Sequence, residues 1–270
     1  MMPPDIALVA ADTGERSLLA HLKQVLKRTP AVYPWIWYRR RFAPARSQSD
    51  EAAILERLVS RYPVPKLFIE FGFGTWEFNC ATLTSSFDGL LLDGDRENVQ
   101  YARKAMPSRI QCEHAWLTLE TLDIVERFAA GKDLGILSVD VDGNDYWFLR
   151  RLIRMNPAVV VCEFNRAFGD RPVSVPYDAA FERFEKHPSG LYFGASLTAL
   201  VHLCRQHGYT LVAVSANGVN AFFLRNDLLS PEDREFDMTS MFKDANTQPG
   251  IDRFDEMAAL DFVDVTRLER

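Results

Sequence analysis

From residue 66 onward the chain alternates short apolar runs with segments of helical spacing, and this alternation limits its fold more than any other feature. The runs are Lys66-Leu-Phe-Ile-Glu-Phe71, Gly89-Leu-Leu-Leu-Asp93, Arg109-Ile-Gln-Cys-Glu113, Gly135-Ile-Leu-Ser-Val-Asp140 and Ala158-Val-Val-Val-Cys-Glu163. Between them the pattern predicts helices over 77–85, 95–105, 118–130 and 146–155; Gly131 caps the third and Asn156-Pro157 breaks the fourth. Strands separated by helices of this length form βαβ units, and therefore a parallel sheet covered on both faces. A helix over 196–207, ended by Gly208, leads into Thr210–Ser215, a tight turn at Ala216-Asn-Gly218, and Asn220–Leu224. That order is a strand, a hairpin turn and a reversed strand. The expected architecture is an α/β, Rossmann-like sheet of seven strands, with a C-terminal antiparallel hairpin strand.

Three regions follow from this pattern. Residues 1–65 form an N-terminal helical extension. It holds a helix over 15–28, an aromatic patch at Tyr33–Tyr38, and a helix from Asp50 to about Arg61 with Ser49 as its N-cap. The patch is either a packing foot or a substrate-facing wall. Residues 66–225 form the α/β domain. Residues 226–270 form a charged peripheral tail, folded over the domain or used for self-association into a homo-oligomer. The irregular stretch 166–194, rich in proline and glycine, is long for a compact domain and is expected to cover the site.

Open α/β sheets bind ligands at the carboxyl ends of their strands. Here the first strand ends in Glu70, followed by Gly72 and Gly74, which permit a tight turn and close ligand approach. A dinucleotide loop would carry a third glycine where Glu77 stands, and Glu77 opposes a phosphate. A P-loop is excluded, because no Lys-Ser/Thr follows. S-adenosylmethionine fits better: it has no phosphate, carries a sulfonium, and offers amino and hydroxyl donors to carboxylates. A plain strand-to-helix turn remains the alternative for these glycines. The net charge of −6 argues against nucleic acid as the main partner. No stretch reaches transmembrane length, so membrane insertion is not expected. Four scattered cysteines without a C-x-x-C suit a reducing, cytoplasmic setting.

Residues 47–225 resemble class I S-adenosylmethionine-dependent methyltransferases, in the glycine turn, in Asp93 after the second strand, and in the closing hairpin. More narrowly they resemble the FkbM-like branch. The motifs are Ser47-Gln48 before an acidic helix start, Ser138-Val-Asp140-Val-Asp142-Gly-Asn144-Asp145-Tyr-Trp147, Glu163-Phe-Asn165, Tyr192-Phe-Gly-Ala-Ser196 and Gly218-Val-Asn220-Ala-Phe-Phe. The family's third loop glycine is absent, with Trp76-Glu77 in its region. The resemblance implies that Glu70, Gly72 and Gly74 line the methionine end and that Asp93 accepts from the ribose hydroxyls. It places His114 near the adenine, and assigns Gln48 and Asp140 to the cofactor as well.

Asp140, Asp142 and Asp145 follow the fourth strand, while Glu163 and Asn165 end the fifth. Three or four carboxylates on one rim repel one another unless a cation, a proton or a donor-rich substrate balances them. Mg²⁺ on Asp140, Glu163 and Asn165 is one reading, similar to some metal-dependent O-methyltransferases. General acid–base work by Asp140 or Glu163, with Asp142 and His187 as further candidates, is another. A turn and helix cap at Asp142–Asp145 is the third. The expected activity is O-methylation of a hydroxyl on a saccharide or other small acceptor. The competing reading is a non-catalytic binding or assembly protein of the same fold.

Overall fold

The computed structural model describes residues 47–74, 77–239 and 253–268, all within a unit that begins at Ala45. The helix expected over 15–28, the aromatic patch Tyr33–Tyr38, and Trp76 lie outside the described residues. The strands are β1 (Leu67–Phe71), β2 (Asp88–Asp93), β3 (Ile110–His114), β4 (Ile136–Val139), β5 (Val159–Glu163), β6 (Val173–Ser174), β7 (Tyr209–Val214), β8 (Asn220–Arg225) and β9 (Val263–Asp264). Seven of them form one sheet in the order β3-β2-β1-β4-β5-β8-β7. β1 to β5 run parallel, and β8 lies antiparallel between β5 and β7. The expected five parallel strands and reversed hairpin strand are therefore present. Strand order reverses between β1 and β4, which opens a crevice at their carboxyl ends.

The helices are α1 (Glu51–Arg61), α2 (Arg96–Ala105), α3 (Asp123–Ala129), α4 (Asp145–Leu152), α5 (Arg183–Lys186) and α6 (Leu197–Gln206). They cover both faces, because alternate strand residues point to opposite sides. Leu67, Ile69 and Phe71 pack with α3, α4 and α6 on one face, where Val125, Leu149 and Leu200 are fully buried. Phe68 and Leu91 pack on the other with Leu55 of α1 and Val99 of α2. α1, grouped with the N-terminal extension on sequence, thus contributes to the sheet's own core.

Three expectations shift in detail. The helix over 77–85 shrinks to a 3₁₀ turn at Ala81–Ser85. Thr82, Thr84 and Ser85 are weak helix formers, and a side chain described below takes the donors that would start a longer helix. The helix over 118–130 begins only at Asp123, because the Thr121 hydroxyl accepts from the Thr118 N–H and closes a separate turn at 2.8 Å. The N-cap position of α1 is Asp50 rather than Ser49. Its carboxylate accepts from the Ala216 N–H at 2.7 Å instead of capping the helix, and so ties α1 to the β7–β8 turn.

The tail is more than peripheral. β9 pairs antiparallel with β6. Phe254 and Phe262 pack edge-on against Phe168, Met257 is fully buried, and the Tyr192 hydroxyl donates to the Asp261 carbonyl. The tail therefore braces the segment expected to cover the site. Among the described residues, no helix is long and apolar enough to cross a membrane.

Candidate functional site

The glycine turn after β1 is set by contact with β4. Gly72 has φ +74°, and a Cβ there would sit 1.3 Å from the Asp140 carbonyl oxygen, so only glycine fits. Gly74 closes the turn by donating to the Glu77 carbonyl at 2.9 Å. Glu70 turns inward. It is 2% exposed, and its two oxygens accept from the backbone N–H groups of Asn79 (2.5 Å) and Cys80 (2.8 Å). Burial pushes its carboxyl up to about 7, although the two N–H groups pull the other way. Its neighbour Asn79 donates to the Ser138 hydroxyl at 3.0 Å, which joins the turn to β4. Gln48 lies exposed ahead of α1, on the rim that Asp50 ties to the hairpin turn.

Asp93 ends β2. One carboxylate oxygen accepts from the Asp95 N–H at 2.5 Å, and burial pushes the group up to about 6. Asp95, the competing acid, instead caps α2 by accepting from the Glu97 N–H at 2.7 Å. His114 Nε2 lies 3.1 Å from the Gly94 carbonyl, joining the loops after β3 and β2. Sequence reasoning missed Trp116. Its ring lies over Gly94, where a Cβ would come within 3.0 Å, yet the residue is 53% exposed. Its Nε1 donates to the Ala179 carbonyl at 2.8 Å, fixing the indole as a wall between the β2 loop and the covering segment. A lone tryptophan just past a strand end was the available signal.

Past β4 and β5, Asp140, Asp145 and Glu163 each offer an oxygen, and the three lie within 4.8 Å of one another. Asp140 is partly exposed, while Asp145 and Glu163 are buried. Asp145 folds back on its own loop and accepts from the N–H groups of Val141 (2.7 Å) and Gly143 (2.9 Å); burial first pushes it up to about 6. Burial, then the charges of the neighbouring acids, raises both Asp140 and Glu163 well above the usual carboxylate range. Glu163 Oε2 and Asn220 Oδ1 are buried without a hydrogen-bond partner.

Two other acids and amides proposed for chemistry have different partners. Asp142, at φ +56°, is paired with Arg183 of the covering segment at 2.6 Å. Asn165 is 3% exposed; its Oδ1 accepts from the Ala167 N–H and its Nδ2 donates to the Leu191 and Phe193 carbonyls. Its oxygen and its amide N–H groups are thus engaged in a clasp on the covering segment.

Segment 166–194 does lie over these loops. Asn144 donates to the Asp178 carbonyl at 2.8 Å, the Tyr177 hydroxyl accepts from the Leu119 N–H at 2.9 Å, and Phe181 packs directly on Gly143. Arg183 also stacks over Phe193, 3.6 Å from its centroid. His187 Nδ1 bonds the Ser189 hydroxyl at 2.7 Å within its own turn and shows no contact with the acid cluster.

No protein-family model and no curated protein matches the chain. Among solved structures it is similar to the N-terminal domain of EvdMO1 with SAH bound, at 14% identity and a TM-score of 0.43, over 66% of this chain and 80% of that one. It is also similar to 1,6-didemethyltoxoflavin-N1-methyltransferase of Burkholderia thailandensis, at 14% and 0.44, over 83% and 94%. A third is a TehB-like SAM-dependent methyltransferase of Corynebacterium glutamicum, at 12% and 0.42, over 76% and 98%. The chain's own sheet, with antiparallel β8 between β5 and β7, is a Rossmann-like α/β sheet of seven strands.

Proposed function

We propose that the chain transfers a methyl group from S-adenosylmethionine to a hydroxyl of a small acceptor, a saccharide or related natural product, in the manner of the FkbM-like branch. The observation that carries this reading is the fate of the Asn79 and Cys80 N–H groups, which lie past the glycine turn. In a pyrophosphate site such groups point at the ligand. Here Asn79 and Cys80 donate to Glu70 instead, and the crevice is rimmed by Asp93, Asp140 and Glu163. Such a rim opposes phosphate and suits a cation with amino and hydroxyl donors.

Bound there, S-adenosylmethionine supplies a methyl group on a sulfonium and departs as the neutral thioether. Asp93 accepts from the ribose hydroxyls, and the turn from Gly72 to Gly74 borders the methionine end. Asp140, partly exposed at the end of β4, takes the acceptor's proton as its oxygen bonds the methyl carbon. Glu163 stands behind Asp140 and sets its charge balance. Trp116 and the segment from Tyr177 to Tyr192 exclude water and hold the acceptor in line.

The test is calorimetric titration with S-adenosylmethionine and S-adenosylhomocysteine. Wild type is expected to bind both, and Asp93→Ala to lose about 10- to 100-fold, as for a hydrogen bond to a charged group. Absence of binding by folded wild type would sink the reading.

A further inference from the structure

We propose that residues 177–179 are a gate over the cofactor crevice, a short strap that must lift before S-adenosylmethionine enters or S-adenosylhomocysteine leaves. The inference rests on the methyl-transfer reading and adds to it the step that sets the rate of cofactor exchange. The strap has footings on two loops. On one side the Trp116 Nε1 donates to the Ala179 carbonyl at 2.8 Å, and the Leu119 N–H donates to the Tyr177 hydroxyl at 2.9 Å. Trp116 and Leu119 both follow β3. On the other side stands Asn144, past β4. Its Nδ2 donates to the Asp178 carbonyl at 2.8 Å, and its Oδ1 accepts from the Asp178 N–H at 3.3 Å.

Sheet order places the crevice beneath the strap. β2 and β1 lie between β3 and β4. A strap with one footing past β3 and the other past β4 therefore bridges the carboxyl ends of the two strands that lead into Asp93 and into the turn from Gly72 to Gly74. Three strand spacings separate the footings, about 14 Å. Three extended residues reach about 10 Å, and the indole and phenol side chains supply the rest. The Trp116 ring lies over Gly94 and so fills the β2 side of the span. Gly72 and Gly74 stay exposed, so the strap leaves the β1 turn open beneath it.

The strap is held more loosely than its ends. Val175 and Phe181, which flank it, are buried with Phe168 and Phe193 in the covering segment's own cluster. No residue from 176 to 180 is buried. The Asp178 carboxylate holds the Ala180 N–H at 2.9 Å and Lys186 at 2.5 Å, both within the covering segment, so this local turn travels with the strap. The bonds to the body are uncharged, and bonds of that kind each contribute little net stability. Lids draw on such weakly held segments. Every partner in these bonds belongs to the chain itself, so they hold the strap in the free and the loaded protein alike. Removing one therefore raises the open population of both, and entry and exit speed up together while affinity stays where it is.

The test is surface plasmon resonance of S-adenosylhomocysteine over the immobilised full chain, which reads association and dissociation rates separately. Wild type is compared with Trp116→Phe, Tyr177→Phe and the double variant. Each substitution keeps an aromatic ring and removes one strap bond, and circular dichroism reports the fold. Each single variant should raise both rates about 2- to 10-fold, and the double variant more, with their ratio unchanged. A folded double variant with wild-type rates overturns the gate. So does a change in one rate alone, which would mark Trp116 and Tyr177 as ligand contacts. Absence of binding by folded wild type removes the methyltransferase reading and the gate with it, whereas wild-type binding with unchanged variant rates removes only the gate.

Discussion

Replacing Glu70 by Gln should exchange one stability profile for another as pH rises. Below pH 4.5 the carboxyl is protonated in both the folded and unfolded chain and contributes no pH dependence. Above 4.5 the unfolded chain releases its proton, while burial keeps the folded group protonated up to about 7. The folded state therefore binds more protons in this window, and stability falls as pH rises through it. The gap between 4.5 and about 7 corresponds to about 3 kcal/mol lost by pH 8. Gln keeps the shape and never ionises, so it lacks this slope. It carries a fixed cost instead, because an amide offers one acceptor oxygen where Asn79 and Cys80 present two N–H donors. That cost is about 1–3 kcal/mol. The variant should be less stable than wild type at pH 5 and equal to it or more stable at pH 8. Urea denaturation at pH 5, 6, 7 and 8 reads the difference directly. Melting temperatures should move relative to each other by about 6–12 °C over the same range. Parallel profiles would refute the reasoning, since they would mean that the two N–H bonds outweigh burial and hold Glu70 ionised throughout.

Gly72→Ala places a Cβ 1.3 Å from the Asp140 carbonyl at φ +74°, so a cost of at least about 3 kcal/mol is expected; a wild-type melting temperature would show that the β1 turn can move away from β4. Arg183→Met removes the pairing with Asp142, the bond to the Gly190 carbonyl and the stack on Phe193. Amide exchange over 176–191 should rise about 10- to 100-fold, from the loss of about 1–3 kcal/mol, while the sheet stays protected. Equal exchange in both proteins would mean that Asn144, Trp116 and Tyr177 hold the segment without it.

The sheet was legible because its signals are local. Uninterrupted apolar runs mark strands buried on both faces, and Gly131 and Gly208, both at positive φ, end their helices where the pattern stops. That the tail folds over the domain was one of two readings, but its strand pairing was not legible, because Phe254 and Phe262 are spaced like surface residues. Only pairing of β9 with β6, about 90 residues away, turns them toward Phe168. A separation of 63 residues likewise hid Trp116, whose indole is fixed where Ala179 passes.

The convergence of Asp140 and Glu163 could be read from strand ends alone, since neighbouring parallel strands bring their last residues to one rim. What each acid does there could not. An acid at a strand end has two outlets: the crevice, or the backbone of the turn that follows. Glu70 takes the second because the chain returns as Asn79-Cys80 with two unpaired N–H groups within reach, and Asp145 does the same with Val141 and Gly143. Glu163 has no such turn. Its next residues continue into the hydrogen bond between Phe164 and Val219, and its opposite number is Asn220. Glu163 Oε2 is therefore left without a hydrogen-bond partner, whereas both Glu70 oxygens have one. It follows that Glu163→Gln should affect ligand binding more than stability, whereas Glu70→Gln should do the opposite.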